Sequence, residues 1–288
     1  MGILRGVRAA YLDTPRPAAF AHRGGAAQNP ENTWPAFTYA ADLGYTYLET
    51  DARSTADGAL LAFHDATLDR VTDRTGTLLK MTYQQVSAAR VHGTEEIPLI
   101  EDLLAGFPEQ RFNIDLKDPG TIAPLVSALR RTNAWDRVCV SSLSGSRLLA
   151  FQRSLDRPVC LAITPTAFTA ARYGGAPGQV IAARLARLGA RCAQVPKCMA
   201  TRGFIRRARE LGLEVHVWTL NNRQDIERAL DLGADGVMTN EIGLLRDILI
   251  ERGLWYPGGT TPRIPPAARP MTETVILSAA RQRTRSRA

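Results

Sequence analysis

Apolar strand-like runs alternate with helical segments along most of this 288-residue chain. Glycines such as Gly44 and Gly212 stand where the helices should end. Strands that alternate with helices pair in parallel, and eight strand–helix units in one chain indicate a closed barrel. The sequence therefore predicts an α/β fold, a (β/α)8 TIM barrel. The predicted strands are 18–22, 45–52, 110–116, 136–142, 158–164, 190–195, 213–220 and 235–240, and the predicted helices between them are 33–43, 121–131, 144–153, 178–188, 201–211, 223–232 and 242–252.

A ninth strand-like run, "ALLAFHD" at 59–65, does not fit the eight-unit pattern. It begins about eight residues after Asp51, whereas a parallel crossover needs roughly ten or more residues. We therefore predict an extended excursion over the barrel mouth, in the connection after the second strand. Residues 66–109 would form a small elaboration of that connection, with helices at 82–90 and 99–106.

Composition divides the chain into three parts. The barrel is predicted to span 18–252, after an N-terminal extension at 1–17. Residues 253–288 read as a tail, because "YPGGTTPRIPPAARP" is too rich in proline and glycine for a regular element and "RQRTRSRA" is basic. Within the tail, "TVILSAA" at 274–280 could dock on the barrel.

The net charge of +8 raises the question of an anionic partner. The final "RQRTRSRA" alone supplies four arginines, and no aromatic-basic platform accompanies the charge, so nucleic acid is an unlikely partner. A weak contact of the basic tail with anionic membranes stays open, and no obligate protein partner is evident. No apolar run suits a signal sequence or a membrane span, so we expect a cytoplasmic protein.

The four cysteines show no metal-binding spacing. Cys139, Cys160 and Cys192 lie in apolar strand-like runs, and none of the four, Cys198 included, forms a CxxC pair or a zinc-type spacing with histidine. We predict small buried hydrophobic side chains in a reducing compartment.

Polar side chains stand where the predicted strands end. Because the carboxyl ends of parallel strands meet at one mouth of a barrel, these side chains should share a site. Residues two apart on a strand point to the same face. The candidates are His22 and Arg23 after the first strand, Glu49 and Asp51 in the second, His64 and Asp65 in the excursion, Asp115 and Lys117 in the third, and Trp218 in the seventh.

Three of these residues are carboxylates that should converge on the mouth. Glu49, Asp51 and Asp115 would repel one another there unless a cation lay among them. Oxygen ligands without cysteine suit one divalent cation, Mg²⁺ or Ca²⁺, with Mn²⁺ as another option. The sequence thus predicts a site for a hard metal ion.

The remaining candidates suit proton transfer and anion binding. His22 and His64 can act as general acid and base near neutral pH. Arg23 and Lys117 can bind an anionic group such as phosphate, and Trp218 would form a wall of the substrate site. An acid–base pair, a hard metal and two cations together indicate phosphodiester cleavage.

The sequence gives weaker support for five other residues as members of the site. Glu31, which follows Pro30 at a helix start, should support the site rather than react, as should Asp65. Lys197 ends the sixth strand and could join the site, whereas His92 and His216 are expected to be structural.

Seven motifs between about residues 18 and 245 carry a resemblance to a known family. In order, they are "AHRGG", "PENTWPAF", "YLETDARSTADGALLAFHDATLDRVTDRTG", "IPLIEDLL", "FNIDLK", "GLEVHVWTLN" and "LGADGVMTN". In these motifs the chain resembles the glycerophosphodiester phosphodiesterase family. The resemblance implies a barrel enzyme that hydrolyses a glycerophosphodiester to glycerol 3-phosphate and an alcohol.

The resemblance also implies roles for individual residues. This chain departs from the family pattern at Asp115, where the family usually has glutamate. Because aspartate is shorter, a bridging water between Asp115 and the metal is an alternative to direct ligation. The implied roles are acid–base catalysis for His22 and His64, phosphate contact for Arg23 and Lys117, and metal ligation for Glu49, Asp51 and Asp115.

Several alternatives stay open on the sequence alone. The attacking group could be water or the substrate's own hydroxyl, and either histidine could be the base. The substrate could be a lysolipid phosphodiester, cleaved as by a lysophospholipase D. In a different class, the chain could be a catalytically silent barrel that binds phosphorylated ligands.

Overall fold

The computed structural model describes residues 9–163 and 189–258 of the chain. Eight parallel strands form a closed barrel, because the first strand pairs with both the second and the last. The predicted (β/α)8 TIM barrel is confirmed. In chain order the strands are β1 (Ala18–Ala21), β2 (Tyr47–Ser54), β3 (Leu60–Ala62), β4 (Arg111–Leu116), β5 (Val138–Ser141), β6 (Cys160–Ile163), β7 (Ala190–Pro196), β8 (Glu214–Trp218) and β9 (Gly236–Thr239).

Helices surround the barrel and bury its outer face, and one further short helix packs in the elaboration that follows β3. Among the described residues they are α1 (Trp34–Asp42), α2 (Tyr83–Val86), α3 (Ile100–Gly106), α4 (Ile122–Thr132), α5 (Gly145–Arg153), α6 (Arg202–Glu210), α7 (Arg223–Asp231) and α8 (Ile242–Glu251). The helix predicted at 178–188 lies outside the described residues. In residues 9–163 and 189–258, none of the helices combines the length and the apolar character that crossing a membrane requires.

The helix predicted at 82–90 is shorter than expected. It starts with a capping box between Thr82 and Gln85 and ends at Val86. Beyond it the chain turns, and the backbone N–H of Arg90 donates to Asp73 Oδ1 at 2.7 Å. This long-range hydrogen bond competes with helix continuation, which is why helical periodicity alone extended the prediction too far.

The excursion after the second strand is the antiparallel strand β3. It pairs with the end of β2, with Ala62 opposite Ala52 and Leu60 opposite Ser54. The pairing also explains why β2 extends to Ser54, two residues beyond the predicted end. The residues that follow bury a separate apolar cluster, in which Leu68, Leu78, Val86 and Val91 are buried.

Segments at both ends of the described chain pack against the barrel. At the amino-terminal end of the strands, Tyr11 and Leu12 are buried in the barrel interior together with Phe20. At the other chain end, the Trp255 ring lies 5.1 Å from that of Tyr45, so residues 254–258 belong with the barrel rather than with the tail. Residues 1–8 and the tail beyond 258, including "TVILSAA", lie outside the described residues.

Candidate active site

The mouth at the carboxyl ends of the strands holds a cavity of about 210 Å³. This volume lies below that of most drug-sized ligand sites and suits a small substrate group. The structure brings together eight of the predicted site residues in its lining: His22, Arg23, Glu49, Asp51, His64, Asp115, Lys117 and Trp218.

A tight turn directs the end of β1 into this mouth. His22–Gly24 form one 3-10 turn in which Arg23 has a left-handed φ of 52°. Gly24 and Gly25 follow with φ of 81° and 93°. A Cβ at Gly24 would lie 2.8 Å from the Cβ of Ala36, and one at Gly25 would lie 2.5 Å from Ile242 Cδ1. The two glycines are therefore required for the turn that presents His22 and Arg23.

His22 is held by a residue that the sequence reasoning missed. Its Nδ1 lies 2.6 Å from Asn240 Oδ1, which accepts the ring proton and leaves Nε2 as the acceptor. Nε2 lies 3.8 Å from Glu49 Oε2. Burial, and then the charge of Arg23, lowers the pKa of His22 to about 4. The signal for Asn240 was a polar residue directly after the last strand, in "MTN".

Glu49 and Asp51 lie on one face of β2 and are both buried. Asp51 Oδ2 lies 3.0 Å from Arg23 Nε and accepts from Asn32 Nδ2 at 3.2 Å. Burial alone would raise the pKa of Asp51, but Lys117 and Arg23 outweigh it and lower that pKa. Burial and the nearby Asp51 raise the pKa of Glu49 well above its usual range.

Lys117 lies between two of the predicted metal ligands. Its Nζ is 2.8 Å from Asp51 Oδ1 and 2.6 Å from Asp115 Oδ2, and Ser141 Oγ donates to Asp115 Oδ1 at 3.3 Å. Burial would lower the pKa of Lys117, but the two carboxylates outweigh it and raise that pKa. The ammonium therefore compensates the charge of both carboxylates.

His64 reaches the mouth from the residues just after β3. Its Nδ1 lies 2.6 Å from Asp65 Oδ1, so that Nδ1–H donates to this carboxylate. Arg70 Nε donates to Asp65 Oδ2 at 2.6 Å. The Arg70 hydrogen bond is the main cause that lowers the pKa of Asp65 to about 2. Asp65 thus stays ionised and fixes the tautomer of His64.

Glu31 connects the two sides of the site. Its carboxylate accepts from Arg23 Nη1 at 3.0 Å and from Arg70 Nη1 and Nη2 at 3.0 and 2.6 Å. Arg70 is a second residue that the sequence reasoning missed, although it lies in the quoted motif "DRVTDRTG". The chain of contacts from Arg23 through Glu31 and Arg70 to Asp65 links both histidine-bearing segments.

Three weaker candidates lie elsewhere. Lys197 Nζ binds Asp225 Oδ2 at 2.8 Å, and Lys197 does not line the mouth. His92 is exposed in a turn, and His216 is fully buried in β8. Polar lining residues that the strand-end reasoning did not select include Asn113, Ser141 and Gln194.

The sequence was also compared with known protein families. The model of the glycerophosphoryl diester phosphodiesterase family matches residues 22–244. This chain belongs to that family. The family match covers every predicted site residue and confirms the expected class of enzyme, a phosphodiesterase.

Two named relatives match most of this chain. A probable glycerophosphodiester phosphodiesterase 2 of Mycobacterium tuberculosis is 35% identical over 246 residues, covering 82% of this chain and 92% of that protein. The lysophospholipase D GDPD1 of Rattus norvegicus is 24% identical, covering 79% of this chain and 84% of that protein.

The fold is shared with a solved phosphodiesterase structure. An Oleispira antarctica phosphodiesterase in complex with the product sn-glycerol-3-phosphate matches with a TM-score of 0.70 at 20% identity, covering 82% of this chain and 97% of that one. At this identity the likeness supports the fold, and the chemistry is argued from the residues of the mouth.

Proposed function

We propose that this enzyme hydrolyses a small glycerophosphodiester to glycerol 3-phosphate and an alcohol at the barrel mouth. The observation that carries the proposal is that two histidines, three carboxylates and two cations line one small cavity. The name of the Mycobacterium tuberculosis relative supports the substrate class, and the product bound to the Oleispira antarctica protein supports the product.

A divalent cation fits the donor set of the mouth. Glu49, Asp51 and Asp115 offer oxygen donors on neighbouring strands, with Asp51 directly opposite Asp115 in the β2–β4 register. Oxygen donors suit Mg²⁺, Ca²⁺ or Mn²⁺. Such a cation would stabilise negative charge on the phosphoryl oxygens. Lys117, which now binds Asp51 and Asp115, would share these carboxylates with it.

Arg23 and Lys117 are proposed to bind the phosphate. Both side chains line the cavity, and both are largely buried, with 16% and 17% of the side chain exposed. Charged donors are stronger in such a partly desolvated site than in water. They would hold the phosphorus in place and stabilise charge that develops on its oxygens.

His22 and His64 are proposed to transfer the protons of the reaction. In both rings Nδ1 is bound to a neighbour, Asn240 for His22 and Asp65 for His64. Each ring therefore keeps Nε2 for the substrate or the attacking hydroxyl. One imidazole would accept a proton from the attacking oxygen, and the other would protonate the leaving oxygen.

An activity panel tests this function. Purified full-length chain would be incubated with soluble glycerophosphodiesters and with lysolipids, each with Mg²⁺, Mn²⁺ or Ca²⁺, and released glycerol 3-phosphate would be measured. We expect release from the soluble diesters. Binding of these diesters without turnover under any metal would instead support the silent barrel.

A lysophospholipase D reaction is the second candidate. The observation that favours it is the similarity to the lysophospholipase D GDPD1 of Rattus norvegicus. Cleavage of a lysolipid phosphodiester would use the same mouth residues. Preference for lysolipids over soluble diesters in the panel, measured as kcat/KM, would establish this candidate in place of the first.

A further inference from the structure

The barrel interior holds a second group of reactive side chains, at the end opposite the mouth. Cys139, Cys160 and Cys192 lie near the starts of β5, β6 and β7 and are buried. Their sulfur atoms all lie within 4.8 Å of one another, and Cys139 Sγ is 3.8 Å from Cys192 Sγ. We name these three residues the thiol floor.

Strand pairing places the three cysteines on the interior face of neighbouring strands. Cys139 and Cys160 are direct partners in the β5–β6 pair. Between β6 and β7 the register shifts from Leu161 opposite Ala190 to Ala162 opposite Cys192. This shift skips one residue of β7, as a β-bulge does, and turns Cys192 to the interior.

Two buried polar side chains beside the thiol floor have no hydrogen-bond partner among the described residues. They are the Tyr11 hydroxyl and the His216 ring, at both of its nitrogens. Tyr11 belongs to the same buried cluster as the three cysteines. Buried polar groups are normally satisfied, so these orphans indicate a group that binds here.

The His216 ring has two further neighbours. His216 Nε2 lies 3.7 Å from Glu214 Oε2, and the ring packs against Phe20 with 4.7 Å between centroids. Neither contact is a hydrogen bond, in agreement with ring nitrogens that are unpaired within the described residues.

A disulfide explains this arrangement less well than a metal. Cys139 and Cys192 lie on strands separated by β6, so their Cα atoms are roughly two strand spacings, about 9.5 Å, apart. A disulfide needs Cα atoms within about 7 Å. Cys139 and Cys160 could be bridged, but such a bond would leave Cys192, Tyr11 and His216 without a role.

We propose that the thiol floor binds one thiophilic cation of the Zn²⁺ class through the three Sγ atoms. With metal–sulfur bonds of about 2.3 Å, the sulfurs of a tetrahedral centre lie about 3.8 Å apart, which matches the Cys139–Cys192 separation. Binding replaces the thiol protons, which are released. Its sulfur donors distinguish this site from the oxygen donors of the mouth, so the proposal does not depend on the proposed function.

Titration with Cd²⁺ alone tests the site in the reduced, metal-free full chain. Cadmium–thiolate charge transfer absorbs in the ultraviolet and reports sulfur ligation, so carboxylate binding at the mouth does not contribute. We expect one equivalent per chain and a rise in melting temperature. Cys139→Ala, Cys160→Ala and Cys192→Ala should each weaken binding by at least about 100-fold, since loss of an outer-shell partner already costs 10- to 100-fold.

Cys198→Ala is the matched control, because Cys198 is exposed and outside the thiol floor, and it should retain full binding. A cooperative melting curve of each metal-free variant shows that it is folded. Absence of the band in reduced wild type would overturn the proposal. So would its persistence in the three floor variants, or a native Cys139–Cys160 disulfide in protein that binds no ion after reduction.

Discussion

Lys117 Nζ, just beyond the end of β4, lies 2.6 Å from Oδ2 of Asp115, two residues earlier in the chain. The sequence resemblance implies a longer glutamate at this position in other members of the family. An aspartate that is already paired with an ammonium should hold a cation less tightly than an unpaired ligand does. We therefore propose that Asp115 is shared between the metal ion and Lys117.

Substitution of Asp115 measures its share in metal binding. Asp115→Asn should weaken activation by Mg²⁺ by about 10- to 100-fold, the range typical of outer-shell partners, whereas Asp115→Glu should retain it. The measurement is kcat as a function of Mg²⁺ concentration, with Asp156→Asn, at an exposed salt bridge to Arg130, as control. An unchanged metal dependence in Asp115→Asn would mean that Asp115 serves only to position Lys117.

Removal of the metal should abolish turnover. Glu49 and Asp51 are buried on one face of β2, and the proposed cation would bind them and stabilise charge on the phosphoryl oxygens. Chelation should reduce activity to background, Mg²⁺, Mn²⁺ or Ca²⁺ should restore it, and Glu49→Gln should not be restored. Full activity in protein shown to be metal-free by elemental analysis would reject this assignment.

Loss of either mouth histidine should stop the reaction without unfolding the protein. General acid–base catalysis commonly contributes about 10²- to 10⁴-fold, so His22→Ala and His64→Ala should each lower kcat by that factor. His92→Asn is the control, because His92 is exposed with a left-handed φ of 49° that asparagine tolerates. Near-normal kcat in either alanine variant, with an unchanged melting curve, would refute the acid–base role.

The hydrogen bond from Arg70 to Asp65 should make the free energy of unfolding depend on pH in the acid range. It holds the pKa of Asp65 at about 2, below the value of about 3.9 in unfolded chains. A carboxyl group with a lowered pKa stabilises the fold at pH values above the pKa of the unfolded chain. This contribution is lost as the pH falls towards 2. The free energy of unfolding of the wild type should therefore exceed that of Arg70→Gln at pH 5 to 7. The difference between the two proteins should shrink below pH 4.

Urea unfolding at several pH values measures this difference. The exposed Arg153 on α5 supplies the control variant, Arg153→Gln, whose difference from wild type should not vary with pH in this way. Arg70→Gln should also lower kcat by about 10-fold, because Glu31 and Asp65 lose a shared partner. A pH-independent difference would show that Asp65 does not depend on Arg70 for its low pKa.

The basic tail is predicted to act apart from the reaction. Deletion of residues 271–288 should leave turnover of a soluble diester almost unchanged, since the composition of this segment does not favour a core element. Any binding to anionic vesicles should disappear with the deletion and fade with salt, because exposed charges are screened within about 8 Å at physiological ionic strength. A large loss of soluble-substrate activity would mean that "TVILSAA" packs on the barrel.

Periodicity and strand ends were sufficient to predict the barrel and most of its mouth. Parallel strands bring their carboxyl ends together, so that His22, Glu49, Asp115 and Trp218 could be placed in one site without coordinates. Local pattern also predicted that 59–65 could not be a parallel strand. The predicted length of the helix at 82–90 was wrong, because a long-range hydrogen bond from Arg90 to Asp73 competes with its continuation.

The residues that hold the site could not be found in this way. Arg70 lies 39 residues from its partner Glu31 along the chain, and Asn240 lies 218 residues from His22. Contacts of this range depend on how loops cross the mouth. The thiol floor was missed for a similar reason, because its three cysteines come from different strands and a shift in register turns Cys192 inward.

The antiparallel return of β3 has a consequence for changes in the length of the chain. His64 follows a strand whose position is set by pairing with β2, with Leu60 opposite Ser54, and not by closure of the barrel. A shift of one residue turns every side chain of a strand to the opposite face. Insertion or deletion of a single residue in the connection 55–59 should therefore inactivate the enzyme while leaving the barrel intact. We therefore expect natural variation in this connection to change its sequence and not its length.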